Sequence, residues 1–195
     1  MVKRLSFLVA AALVFAVPSQ VEAQTTLYLG AGGGFPSGDF SEYAKTGFLG
    51  VGGVLFNIPS VANLGAGVEG FYGSFSHDDY DPFSTVSSVA NFSSVAGAAA
   101  SDKTDIYGVM GIVDYGFDTG GALKPYVFGG LGLLVHKYKT DIADLSESKS
   151  YFGYQFGAGL AFGISKSMSI FGEGRYMGAT DTQLWALLAG LAFEL

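Results

Sequence analysis

From residue 152 to residue 164 a large apolar side chain recurs at almost every second position, and the positions between are mostly glycine. Phe152, Tyr154, Phe156, Ala158, Leu160, Phe162 and Ile164 alternate with Gly153, Gln155, Gly157, Gly159, Ala161 and Gly163. A period of two places successive side chains on opposite faces of an extended strand. In a soluble sheet the large face would enter the core, and the other face would meet water and carry Thr, Lys or Glu. Glycine there weakens the strand and gains nothing from solvation. A closed barrel in a membrane accounts for both faces. The large side chains meet lipid, and the small ones line a lumen just wide enough for side chains.

The pattern returns along the chain. Trp185, Leu187, Ala189, Leu191, Phe193 and Leu195 alternate with Ala186, Leu188, Gly190, Ala192 and Glu194. Eight strands are expected, near 25–35, 47–57, 64–75, 105–117, 123–136, 151–165, 168–177 and 182–195. Most match the 9–11 residues that a tilted membrane strand requires. The segments 58–63, 118–122 and 166–167 are short turns. The segments 36–46, 76–104 and 137–150 are longer loops, and 178–181 is short where a long loop would be expected. Such alternation predicts an all-β, closed, antiparallel transmembrane β-barrel in up-and-down order. Both termini then lie on the short-turn side. The predicted long-loop side holds ten acidic residues, among them Asp39, Glu42, Asp102 and Asp181, and five basic ones, Lys45, Lys103, Lys137, Lys139 and Lys149.

Composition agrees with a surface that does not meet water. Charged residues make up 14 %, against 30 glycines and 28 Phe and Tyr. A soluble domain usually has about 25 %. Only ten Lys and Arg occur in a net charge of −7, without a basic run, so no nucleic-acid partner is expected. With no cysteine, disulfides and thiolate metal sites are excluded.

The first residues form an address. Lys3 and Arg4 precede an apolar run from Leu5 to Val17, then Pro18, Ser19 and Val21-Glu22-Ala23. This is the pattern of a secretory signal. The run has 13 residues, and a membrane-spanning helix needs about 20. Cleavage after Ala23 would leave one barrel domain, residues 24–195, with 172 residues and a formal charge of −8.

Three stretches carry a resemblance to a known family. They are Leu27-Tyr28-Leu29-Gly30-Ala31-Gly32-Gly33-Gly34, then Lys124-Pro125-Tyr126-Val127-Phe128-Gly129-Gly130-Leu131-Gly132, then Phe171-Gly172-Glu173-Gly174-Arg175-Tyr176 before an apolar last strand. In order and spacing the chain resembles the small outer-membrane β-barrel family, which includes outer membrane protein X and the barrel domain of outer membrane protein A. The resemblance implies residence in a Gram-negative outer membrane among lipid and lipopolysaccharide, and assembly by the barrel-assembly machinery. Family members often end in an aromatic residue that this machinery reads, whereas this chain ends Phe193-Glu194-Leu195.

Charges on the small-residue face are the candidate site. Glu173 and Arg175 share that face, and Glu69 lies among Gly65, Gly67, Phe71 and Gly73. A buried charge needs a partner, so a Glu69–Arg175–Glu173 lumen network is expected. It would serve as a structural plug or as the gate of a small pore. Asp114 and Lys124 are symmetric about Thr119 and are expected to pair across a hairpin. Asp78-Asp79-Tyr80-Asp81 lacks the ligand spacing of a calcium loop, and His77 and His136 are the only histidines, so no metal or cofactor is expected. A lipid hydrolase would need His136 beside Ser148, Ser150 and Glu147, a set with no recognisable motif. The expected function is non-enzymatic. It is a structural or surface-interaction role of a monomer whose acidic loops reach an extracellular partner, in adhesion or envelope integrity. A narrow pore is the alternative, ahead of a lipid-modifying enzyme or a soluble secreted β-protein.

Overall fold

The structure, a computed structural model, describes residues 24–42, 44–76, 103–139, 147–180 and 182–195. Eight strands follow one another: β1 Thr25–Ser37, β2 Gly47–Asn57, β3 Leu64–Ser76, β4 Lys103–Gly116, β5 Leu123–Lys139, β6 Glu147–Gly163, β7 Met168–Ala179 and β8 Thr182–Glu194. Each pairs antiparallel with the next, and β8 returns to β1 from Thr26↔Glu194 to Ser37↔Gln183. The result is a closed up-and-down barrel with no free edge. Closure pairs every strand on both sides, which is what a sheet in hydrocarbon requires.

The turns at the end that carries both termini are tight, and their residues explain why. Asn63 closes the β2–β3 turn in the left-handed region, at φ 64°, a conformation that Asn tolerates better than most residues. In the β4–β5 turn the Asp118 carboxylate accepts the Gly120 N–H at 2.9 Å, and Gly120 takes φ 68°. This arrangement moves the centre of the hairpin. Asp114 is opposite Phe128, so the turn centres on Gly121 rather than on Thr119. The expected cross-strand pairing of Asp114 with Lys124 is therefore not formed.

At the far end two expectations need correction. The strands β5 and β6 run to Lys139 and from Glu147, beyond the expected 136 and 151, because their backbones stay paired as far as Tyr138↔Glu147. Segment 36–46 is not all loop. Strand β1 continues to Ser37, and Gly38–Glu42 forms a short 3-10 turn that buries Phe40 completely.

The two faces of the wall follow the sequence alternation. Along β8, Thr182, Leu184, Ala186 and Leu188 are buried inside, while Trp185 and Leu187 are 54 % and 64 % exposed outside. Leu29, Leu133, Phe152 and Phe156 are likewise exposed. Apolar exposure on this scale around a whole barrel marks a lipid-facing surface. Aromatic rings border it at both ends. Tyr176 lies 4.9 Å from Trp185 and 5.3 Å from Phe156, nearer the far end. Tyr115 meets Phe117 at 5.2 Å near the termini. Such girdles sit at the two membrane interfaces.

Inside, the glycines make room for a few large residues. A Cβ at Gly34 would come 2.9 Å from the Phe75 ring, and one at Gly157 would come 2.6 Å from Phe128. Phe171 of β7 lies over Gly30 of β1 and Gly190 of β8 in the same way. The far half of the lumen is consequently an apolar core of Leu49, Phe75, Ile106, Met110, Leu134, Met177 and Leu184, each fully buried. The sequence leads one to expect small residues beside a few charges there. The glycine face instead gives space, and side chains from neighbouring strands fill it.

Candidate functional site

Three charged side chains meet in the middle of the lumen. Arg175 on β7 is 1 % exposed, as is Glu69 on β3. The guanidinium donates to both carboxylate oxygens of Glu69, Nη1 to Oε1 at 2.6 Å and Nη2 to Oε2 at 3.0 Å. Its Nε donates to Oε1 of Glu173 at 2.9 Å, and Nη2 also donates to that oxygen. Nη1 donates further to the amide oxygen of Gln155 at 3.0 Å. Five donors in a planar fork is the full capacity of arginine, and all five are engaged. A lysine could not span this set.

The carboxylates are satisfied in turn. Tyr28 donates to Glu69 at 2.9 Å, and the Gln155 amide nitrogen donates to it at 2.8 Å. Tyr126 donates to Glu173 at 2.7 Å. Phe128 lies beneath the guanidinium, with its ring centroid 4.9 Å away, where the negative face of the ring attracts the cation. Gln155, Tyr28, Tyr126 and Phe128 were not assigned to the network from sequence. The signal for Gln155 was present, since it is the one polar residue among the small ones from 153 to 163. The tyrosines come from β1 and β5, and each reaches its carboxylate across a glycine of the intervening strand, Tyr28 over Gly53 and Tyr126 over Gly159.

Asp114 lies nearer the termini, against Gly65 on the neighbouring strand. Its Oδ1 is buried without a hydrogen-bond partner among the described residues. Lys124 is exposed at the termini end, and neither residue joins the central network.

Above the network the lumen is corked. Phe40 meets Phe75 edge-on at 5.3 Å and the His136 ring at 5.8 Å, and His136 also meets Tyr151 at 5.8 Å. His136 hydrogen-bonds Thr182, and both are buried. Shortening the cork by Phe40→Leu should lower the unfolding free energy by about 1 kcal/mol, read as a smaller urea midpoint at unchanged slope. An unchanged midpoint would show that the cork does not contribute to stability.

The hydrolase constellation is not assembled. Alternation puts Ser148 and Ser150 on the outward face, and they are exposed, whereas His136 is buried inside. Among the described residues no group of three or more His, Cys, Asp or Glu could hold a metal ion. The Asp78–Asp81 cluster and His77 lie outside the described residues, as does the signal segment. No described helix is long and apolar enough to cross a membrane, which says nothing of strands.

A sequence-family model described as "Outer membrane protein beta-barrel domain" matches residues 7–193. No curated protein sequence matches the chain significantly. Solved structures do. Neisserial surface protein A is similar with a TM-score of 0.62 at 16 % identity, covering 88 % of this chain and 97 % of that one. A major outer membrane protein from Thermus thermophilus scores 0.59 at 15 % identity, covering 90 % of this chain and 100 % of its own. The attachment invasion locus protein of Yersinia pestis scores 0.54 at 16 % identity, with 90 % and 100 % covered. At such identities the likeness is one of fold.

Proposed function

Because the chain belongs to the outer membrane protein beta-barrel domain family, we propose that it is a closed outer-membrane wall that works at its surface rather than through its lumen. One observation carries this reading. Arg175, Glu69 and Gln155 fill mid-lumen at 1–2 % exposure, and a fully buried apolar layer capped by Phe40 lies above them. The plug role suits such a lumen better than a gate, because neither layer leaves a water path. What remains available for function is the far end, with its acidic loops. They suit an extracellular partner, in adhesion or in envelope integrity. The termini then face the periplasm, lipopolysaccharide surrounds the wall, the barrel-assembly machinery inserts it, and one chain suffices. A narrow pore is the less favoured reading.

The first test is heat modifiability of the protein in detergent-extracted outer membranes. The unboiled form should migrate differently from the boiled form and fractionate with the outer membrane. A single band in a soluble fraction would overturn the membrane reading. Orientation is checked on intact cells with a membrane-impermeant amine reagent. It should modify Lys103 and spare Lys124 and Lys166. Labelling of the latter pair alone would invert the topology. Steady single-channel currents from the wild-type protein in planar bilayers would favour the pore.

A further inference from the structure

We infer that Gln24 is a self-modifying N terminus. Once the signal segment is removed, its side chain closes on its own α-nitrogen to give a pyroglutamyl ring, assisted by Glu194 and Asn57. The inference rests on the expected cleavage after Ala23 and goes beyond the surface role proposed above.

Cleavage there makes Gln24 the first residue of the mature chain. Attack of its α-nitrogen on its own Cδ closes a five-membered lactam, and an intramolecular attack needs no encounter of two molecules. The barrel brings two further residues to this point, from opposite sides. Asn57, the last residue of β2, donates its backbone N–H to the Gln24 carbonyl at 3.1 Å. Glu194, the last residue of β8, is opposite Thr26. That is two residues along from Gln24 on the same face, a diagonal that long side chains can span.

Their side chains fall on the two atoms that change during ring closure. The leaving nitrogen, Gln24 Nε2, donates to Glu194 Oε2 at 2.9 Å. The carbonyl oxygen, Gln24 Oε1, accepts from Asn57 Nδ2 at 3.4 Å. A carboxylate at the leaving group can carry the proton that it needs. An N–H donor at the carbonyl oxygen stabilises the negative charge that develops there. In the unfolded chain residues 24, 57 and 194 are far apart, and neither aid exists.

The step is balanced within the protein. The lone pair of the neutral α-amine forms the N–Cδ bond. Glu194 takes a proton from that nitrogen and delivers it to Nε2. The Cδ–Nε2 bond breaks and ammonia leaves, with nothing oxidised or reduced. The product keeps Oε1 for Asn57, and its backbone carbonyl still accepts the Asn57 N–H. It lacks the charged amine that an aminopeptidase recognises, so the first strand is sealed against trimming.

The test starts from the mature chain folded in detergent behind a leader. A site-specific protease removes the leader just before Gln24, and intact mass is followed with time. The folded chain should lose one ammonia about tenfold faster than the same chain unfolded in guanidinium chloride. Glu194→Gln should remove most of that advantage and Asn57→Ala part of it, while Glu42→Gln at the far end should keep it. Each variant is first shown to be heat-modifiable. Equal rates for the folded and unfolded wild type overturn the inference with no variant involved, as does Glu194→Gln cyclising at the wild-type rate. In protein taken from outer membranes, the N-terminal peptide should begin with the ring at position 24. A peptide that begins at Gln24 with its amide intact overturns the inference and leaves the signal reading standing. A different first residue overturns both.

Discussion

Replacing Arg175 by Met is expected to lower the unfolding free energy of the barrel by about 4 kcal/mol, the usual cost of leaving buried charges without their partner. The size follows from the contacts. Arg175 spends five hydrogen bonds on Glu69, Glu173 and Gln155 at 1 % exposure. Methionine fills part of the volume and supplies no donor, so two carboxylates remain in the lumen with only Tyr28, Tyr126 and Gln155 to answer them. Urea titration of protein folded into phospholipid vesicles measures the loss. Combining Arg175→Met with Glu69→Gln and Glu173→Gln should restore most of it, because neutral groups of similar shape no longer need a counter-charge. A single variant within about 1 kcal/mol of wild type would show that the network is dispensable for stability. Arg175→Met should still not conduct, since Leu49, Phe75, Leu134 and Phe40 close the lumen above it. Steady currents from that variant alone would identify the network as the barrier to flow, and so as a gate.

The second large effect is steric. Gly67 faces the lumen on β3, and a Cβ there would run into the Val54 carbonyl and come 2.9 Å from the Leu55 Cα, both backbone atoms of β2. Backbone in a closed sheet cannot swing aside as a side chain can. Gly67→Ala should therefore cost about 3 kcal/mol, the upper end for an overpacked interior. Gly111 on the outward face is the contrast, for its nearest neighbour would be the Leu131 carbonyl oxygen at 3.8 Å. Alanine there should be neutral or stabilise by up to about 1 kcal/mol, through a less flexible unfolded chain. Equal midpoints for the two variants would refute the idea that lumen glycines are kept for space.

Much of this molecule was readable from alternation. The period of two in 152–164 and 185–195 marks strands, and glycine opposite large side chains indicates lipid outside and a filled lumen inside. Glu69, Glu173 and Arg175 could be set on one face because their strand neighbours are small. The remainder depends on quantities that alternation does not carry. Which residue faces Asp114 is decided by the local turn, in which the Gly120 N–H donates to Asp118; the hairpin centre lies two residues further on, and Phe128 stands where Lys124 is expected. Tyr28 and Tyr126 reach the carboxylates only because the register sets each in one row with Glu69 or Glu173, across Gly53 or Gly159 of the strand between. Phe40 looks like an ordinary loop aromatic until the end of the lumen above Phe75 exists to receive it.

The placement of Phe171 bears on how such a wall can assemble. Its ring, carried by β7, fills the hollow left by Gly30 in the first strand and Gly190 in the last. That hollow exists only once those two strands have joined, across a separation of about 160 residues. A solitary hairpin of this sequence would hold gaps on one side and unsupported rings on the other. Its partial structures thus gain little until the circle closes, which makes acquisition of the native state a single cooperative event dominated by its most distant pairing.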